Sequence, residues 1–200
     1  TSAVPGGYDV YSGTSMAAPN MAGAVALLRQ YLKTANPTLT GVELNARVNQ
    51  VLMSTATIAL NDEGNPYSPR KQSAGLAGIA DAINAESYIT VKDKDGNVRD
   101  KAKVELYDDK LKTGIYEFEF TINNISGRAE EYDPIVYVMT ETLASDNKTV
   151  AEKAYMLSDS TIEYFVDGNR HTGHIAVGAN ITTTVKVKIT LSQAAREYLD

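Results

Sequence analysis

The chain has 200 residues, 43% of them apolar and 22% charged, a mixture that excludes a disordered polyelectrolyte and is enough to bury a core or two. Nineteen basic side chains against 25 acidic ones leave a net charge of −6, so no basic surface is at hand to neutralise phosphates, and nucleic acid is excluded as a partner. Cysteine is absent, which removes disulfides, thiolate catalysis and cysteine-ligated zinc or iron sites together.

The chain opens Thr1-Ser2-Ala3-Val4-Pro5-Gly6-Gly7, with neither an initiator methionine nor a signal peptide, and is expected to be a segment of a longer protein. Apolar residues at three- and four-residue steps (Met16, Ala17, Met21, Ala24, Val25, Leu28, Tyr31, Leu32) predict a helix from about Ser15 to Thr34. Its first half, Ala17 to Ala26, is small and apolar nearly all round, the pattern of a helix buried between layers. Arg29, Gln30 and Lys33 bring the second half to the surface, and Asn36-Pro37 ends it. The longest apolar stretch, Met21 to Leu28, is broken by Gly23 and too short to span a bilayer, so no membrane span is expected.

Thr40-Gly41-Val42-Glu43 fits a capping box and starts a second helix that runs to about Thr55, with Val42, Val48, Val51 and Leu52 as its apolar stripe. Asn61 to Lys71, with Gly64, Pro66 and Pro69, reads as loop, and a short third helix covers Gly78 to Ala85. Near residue 88 the composition turns from alanine-rich to Val, Ile, Thr and Tyr with period-two alternation. Ile115 to Ile122 sets Tyr116, Phe118, Phe120 and Ile122 against Glu117, Glu119 and Thr121; Ile181 to Leu191 repeats the pattern with Val185, Val187, Ile189 and Leu191 against Lys186, Lys188 and Thr190. Val104 to Tyr107, Ile135 to Met139, Ile162 to Val166 and Gly173 to Val177 are shorter candidates. Six or seven short strands over about 110 residues predict a β-sandwich, followed by a terminal helical turn over Gln193 to Leu199.

The residues with chemical meaning are Ser12-Gly13-Thr14-Ser15-Met16-Ala17-Ala18-Pro19. A serine where a glycine turn meets a buried helix faces the unpaired N–H groups and partial positive charge of the helix start, donors suited to an oxyanion formed on a carbonyl under attack. On position alone, Thr14 or Ser15 is an ordinary N-cap. The two histidines, in Arg170-His171-Thr172-Gly173-His174, read as solvated loop or strand-edge residues, and no third metal ligand accompanies them. Asp93-Lys94-Asp95-Gly96-Asn97 starts like a calcium loop, but Val98 and Val104 stand where such a loop needs Gly and Glu, so a hairpin turn is expected. Asn124-Ile125-Ser126, Asn147-Lys148-Thr149 and Asn180-Ile181-Thr182 fit the acceptor pattern for N-glycosylation.

The string Gly13-Thr14-Ser15-Met16-Ala17-x-Pro19 resembles the nucleophile motif of the subtilisin-like serine proteases. Val4-Pro5-Gly6-Gly7-Tyr8, Met53-Ser54-Thr55-Ala56 and Ser68-Pro69-Arg70-x-Gln72-Ser73-Ala74-Gly75 resemble flanking stretches of the large cell-envelope subtilases of the lactocepin and C5a-peptidase type. The block after Ile89 resembles their fibronectin type III-like domain. The resemblance implies an α/β fragment, the C-terminal helices of a subtilisin-like domain over residues 1–87, followed by an all-β fibronectin type III-like sandwich over 88–200. It implies that Ser15 is the nucleophile and that its backbone N–H shares an oxyanion hole with an upstream Asn side chain. A His would act as base and an Asp would orient it.

Family order places that Asp, His and Asn before the serine, yet the fourteen preceding residues hold no His or Asn, and Asp9 lies in another context. Asn20 stands where many members carry His. The 200 residues alone are therefore expected to be inactive, with protein or peptide substrates and the upstream part of the same domain as partners. An exposed helix over residues 16–32 is expected to self-associate. No cofactor is assigned to this stretch, a calcium requirement is left to the longer protein, and the expected location is secreted or attached to the cell wall. The alternatives are a non-catalytic binding or spacer module of a cell-surface protein, or a piece of a pseudoprotease.

Overall fold

In a computed structural model, the residues described are 2–4, 6–141, 145, 155–157 and 159–199, gathered into two compact units, Thr1–Val48 and Asn49–Asp200.

The first unit begins with an antiparallel hairpin of β1 (Ser2–Val4) and β2 (Gly7–Tyr8), continues into α1 (Thr14–Ala35) and ends within α2 (Gly41–Ser54). Helix α1 matches its predicted span to one residue at each end. Asn36 closes it, returning its N–H to the Leu32 carbonyl at 2.9 Å. The Lys33 ammonium donates to the carbonyls of Pro37 and Leu39 at 2.6 and 3.1 Å, and Arg29 donates to the Asn45 side chain, so polar contacts fasten the turn between the helices. Leu28, Leu32 and Leu44 are buried, whereas in the small apolar run from Ala17 to Ala26 marked for burial, Ala17 to Gly23 and Ala26 are exposed and Ala24 and Val25 half-buried.

The capping box of α2 does not form. Gly41 takes φ +53°, and among the described residues neither the Thr40 hydroxyl nor the Glu43 carboxylate makes a hydrogen bond; Thr40 contributes its carbonyl, 3.4 Å from the Leu44 N–H. The buried stripe is Leu44, Val48, Val51 and Leu52, with Val42 standing off it in solvent.

In the second unit the end of α2 is tied to residues far along the chain. Gln50 Nε2 donates to the Arg99 carbonyl at 2.8 Å, and the Ser54 hydroxyl accepts from the Ile89 N–H at 2.8 Å. The stretch from Thr57 to Leu76 closes on itself, those two residues exchanging backbone hydrogen bonds of 2.9 and 2.8 Å. The Gln72 amide clamps its middle, accepting from Ala59 N–H at 2.7 Å and donating to the Tyr67 carbonyl at 2.5 Å. Its Pro-rich end, expected as loop, is one helical turn, α3 (Pro69–Gln72): Pro69 needs no donor at the first position, and the buried Ser68 hydroxyl caps the Arg70 N–H at 3.1 Å. Helix α4 (Ile79–Ile83) comes next.

The strands are β3 (Ser87–Thr90), β4 (Ile115–Asn124), β5 (Glu130–Tyr132), β6 (Met139–Thr140), β7 (Tyr155–Met156), β8 (Thr161–Val166), β9 (Asn169–His171), β10 (Ile175–Val177) and β11 (Thr182–Thr190), before the terminal helix α5 (Gln193–Leu199). Five make an antiparallel sheet in the order β3-β4-β11-β8-β9; β5 pairs with β10 and β6 with β7 as separate ladders. The register puts Val185 opposite Phe120, Val187 opposite Phe118 and Ile189 opposite Tyr116. One sheet face therefore carries the core, joined by Ile175 and Val177 of β10 and by Leu191 and Ala195. The second unit is thus an antiparallel sheet with helices. Among the described residues, the β5–β10 ladder packs on the core face of this sheet through Tyr132, Ile175 and Val177, and Val136, Val138 and Leu157, next to the β6–β7 ladder, pack on it as well. Val104 to Tyr107 forms no strand, and of Ile135 to Met139 only the last residue does.

Candidate functional site

Ser15 is the second residue of α1, and the helix start explains why its hydroxyl is free. The N-cap is Gly13, at φ 149° and ψ 168°, backbone that side-chain-bearing residues avoid. Its carbonyl accepts the N–H groups of Met16 and Ala17 at 3.0 and 3.1 Å. Thr14 and Ser15 lie inside the helix, not at the cap, and no side chain caps it. The ordinary capping reading of either hydroxyl therefore fails.

Among the described residues, nothing hydrogen-bonds the Ser15 hydroxyl or its N–H, and Ser15 is exposed. Hydroxyl oxygen and backbone donor are thus presented together at the positive end of a 22-residue helix. Pro19 sits within the same helix and lacks an N–H, leaving the Ser15 carbonyl without its usual donor four residues on. Asn20 Nδ2 reaches back to the Met16 carbonyl at 3.3 Å.

The structure places Gly13, Thr14, Ser15, Met16, Ala17 and Pro19 on one continuous helix start, and the first unit supplies no imidazole to join them, since both histidines fall in the second. Asp9 turns its carboxylate onto the Val10 N–H at 2.8 Å. In the second unit, His171 ends β9 with Nε2 2.7 Å from the His174 carbonyl, and His174 Nδ1 lies 2.5 Å from Asp133 Oδ1. His171 is thus at a strand end and His174 in a loop, positions of the kind expected of them. No cluster able to hold a metal occurs among the described residues.

Other sequence candidates resolve into structure. Asp93 accepts the N–H groups of Asp95 and Asn97, both at 2.9 Å, as the hairpin-turn reading requires; the Asn97 N–H in particular holds the carboxyl below its ordinary value. Asn124 is 3% exposed: its amide donates to the carbonyls of Arg128, Val177 and Gly178 at 2.8, 3.1 and 3.0 Å and accepts the Ser126 N–H at 2.8 Å. A side chain so consumed is no glycan acceptor. Asn180, at φ 53°, occupies a turn, and the Asn147-Lys148-Thr149 pattern lies outside the described residues, as does Pro5.

Two features had no sequence signal. The Gln72 clamp is one, and the carboxylate of Asp109 is the other: it accepts the Gly114 N–H at 2.9 Å and the Thr113 hydroxyl at 3.0 Å. Those bonds, the Gly114 one first, hold Asp109 below the usual carboxylate range. Burial and the neighbouring Asp109 charge push the Tyr116 phenol up. On the wet face of the sheet, Lys186 pairs with Glu117 at 2.7 Å and Arg170 with Glu163 at 3.0 Å.

Compared with known proteins, residues 1–83 match the model of the subtilase family. The chain is 30% identical over 193 residues to the C5a peptidase of Streptococcus pyogenes serotype M1, a match covering 96% of the chain and 15% of that protein. It is 31% identical over 201 residues to the PI-type proteinase of Lactococcus lactis subsp. cremoris, covering 93% of the chain and 10% of the relative. With the minor extracellular protease Vpr of Bacillus subtilis strain 168, identity is 37% over 86 residues, 43% of the chain and 10% of the relative. The matched stretch thus spans 15% or less of each of these relatives.

Proposed function

We propose that this chain, whose residues 1–83 match the subtilase family model, is part of a secreted serine endopeptidase that cleaves peptide bonds of extracellular proteins through an acyl-enzyme on Ser15. The observation that carries this reading is the helix start, where Ser15 is exposed and, among the described residues, nothing hydrogen-bonds its hydroxyl or N–H. Ser15 Oγ attacks the scissile carbonyl and gives its proton to an imidazole. The resulting oxyanion is held by the Ser15 N–H and an Asn side chain; the C–N bond then breaks as the amine leaves with that proton, and water releases the acyl group by the reverse sequence.

The imidazole, its Asp and the Asn are supplied by the upstream part of the same domain. That part also covers the exposed run from Ala17 to Gly23. Without them a serine hydroxyl is a weak nucleophile at neutral pH, so the 200 residues by themselves are inert. Residues 1–87 are the end of the protease domain and 88–200 a fibronectin type III-like domain. The protein is secreted or attached to the cell wall. No cofactor acts through these residues, and any calcium belongs to the longer protein.

Labelling with a fluorophosphonate serine probe, mapped by mass spectrometry, tests the reading. The chain should stay unlabelled. A longer protein that includes the upstream domain should label at Ser15, and Ser15→Ala should abolish labelling and lower peptide hydrolysis by at least about a thousandfold. Labelling of Ser15 in the chain alone overturns the claim of inertness. Failure to label in the longer protein favours the pseudoprotease reading.

A second reading, a binding or spacer module, is favoured by apolar side chains left in solvent on the second unit, among them Leu111, Ile135 and Tyr107, the last 76% exposed. Pull-down of extracellular proteins by residues 49–200 but not by a Tyr107→Ser, Leu111→Ser variant would support it.

A further inference from the structure

We draw no further inference here: the strongest candidate, the apolar groove of the second unit lined by Pro69, Leu106, Tyr116, Tyr137, Met139 and Ile189, carries none because nothing in the structure shows what covers it.

Discussion

At Gly13 the backbone enters a region that only glycine occupies without strain, and the two N–H groups it captures belong to Met16 and Ala17. That choice of cap leaves the Ser15 hydroxyl and N–H out of the capping hydrogen bonds. Elsewhere the same backbone logic runs against the residue present. Ser73 sits at φ 55° and ψ −124°, closing α3 in a conformation a Cβ disfavours. Ser73→Gly should therefore stabilise the chain by about 1 kcal/mol, read as a raised urea midpoint; an unchanged or lowered midpoint refutes it. Asn124 is the opposite case, a buried amide with every group engaged. Asn124→Ala leaves buried carbonyls unpaired and should cost about 2–3 kcal/mol by the same assay.

The Asp109 carboxylate gives a pH dependence whose sign is fixed. Its folded value is depressed, so the stability it contributes is complete above the ordinary carboxylate range and is lost as pH falls through the folded value. In an NMR titration the Asp109 carboxyl and the Gly114 amide should move together, with a midpoint below that of an unperturbed aspartate. A midpoint at or above it would contradict the hydrogen-bonded turn.

Long periodic elements were legible in the sequence because their periodicity outlasts local noise. Helix α1 and strands β4, β8 and β11 emerge where expected, since one face of each carries the apolar residues. Strands β5, β7 and β9, of two or three residues, are too short to show a period and exist only because a partner strand lies beside them. Val104 to Tyr107 shows the converse: it pairs with no strand among the described residues, and Tyr107 turns to φ 58°. The capping box of α2 failed at Gly41, whose positive φ no pattern of Thr and Glu announces. In the site, the motif singled out Ser15, but whether its hydroxyl capped the helix or stood free depended on the dihedral angles of Gly13.

Across the chain, the exposed small-residue face of α1 is the largest departure from what its own sequence asks for. Met21 and Leu27 are exposed together with Ala17 and Ala18 on a helix whose apolar content is suited to burial. In the absence of the covering domain, copies of the chain should associate through residues 16–32. Static light scattering at rising concentration should report a mass above the monomer, and Met21→Lys with Leu27→Lys should return it to the monomer value. A monodisperse monomer at high concentration rules this out.

The pairing of β11 with β4 and β8 also has a genetic reading. Val185, Val187 and Ile189 point to the core while Lys186 and Lys188 point to water, and both neighbours are held in a fixed register. One codon gained or lost early in this strand would turn the residues beyond it to the opposite face, carrying Lys186 and Lys188 inward and the aliphatic residues out. A gain or loss of two codons restores the alternation beyond the change. Viable length variants of this gene should therefore change such strands in even steps and keep odd ones for turns such as Asp167-Gly168.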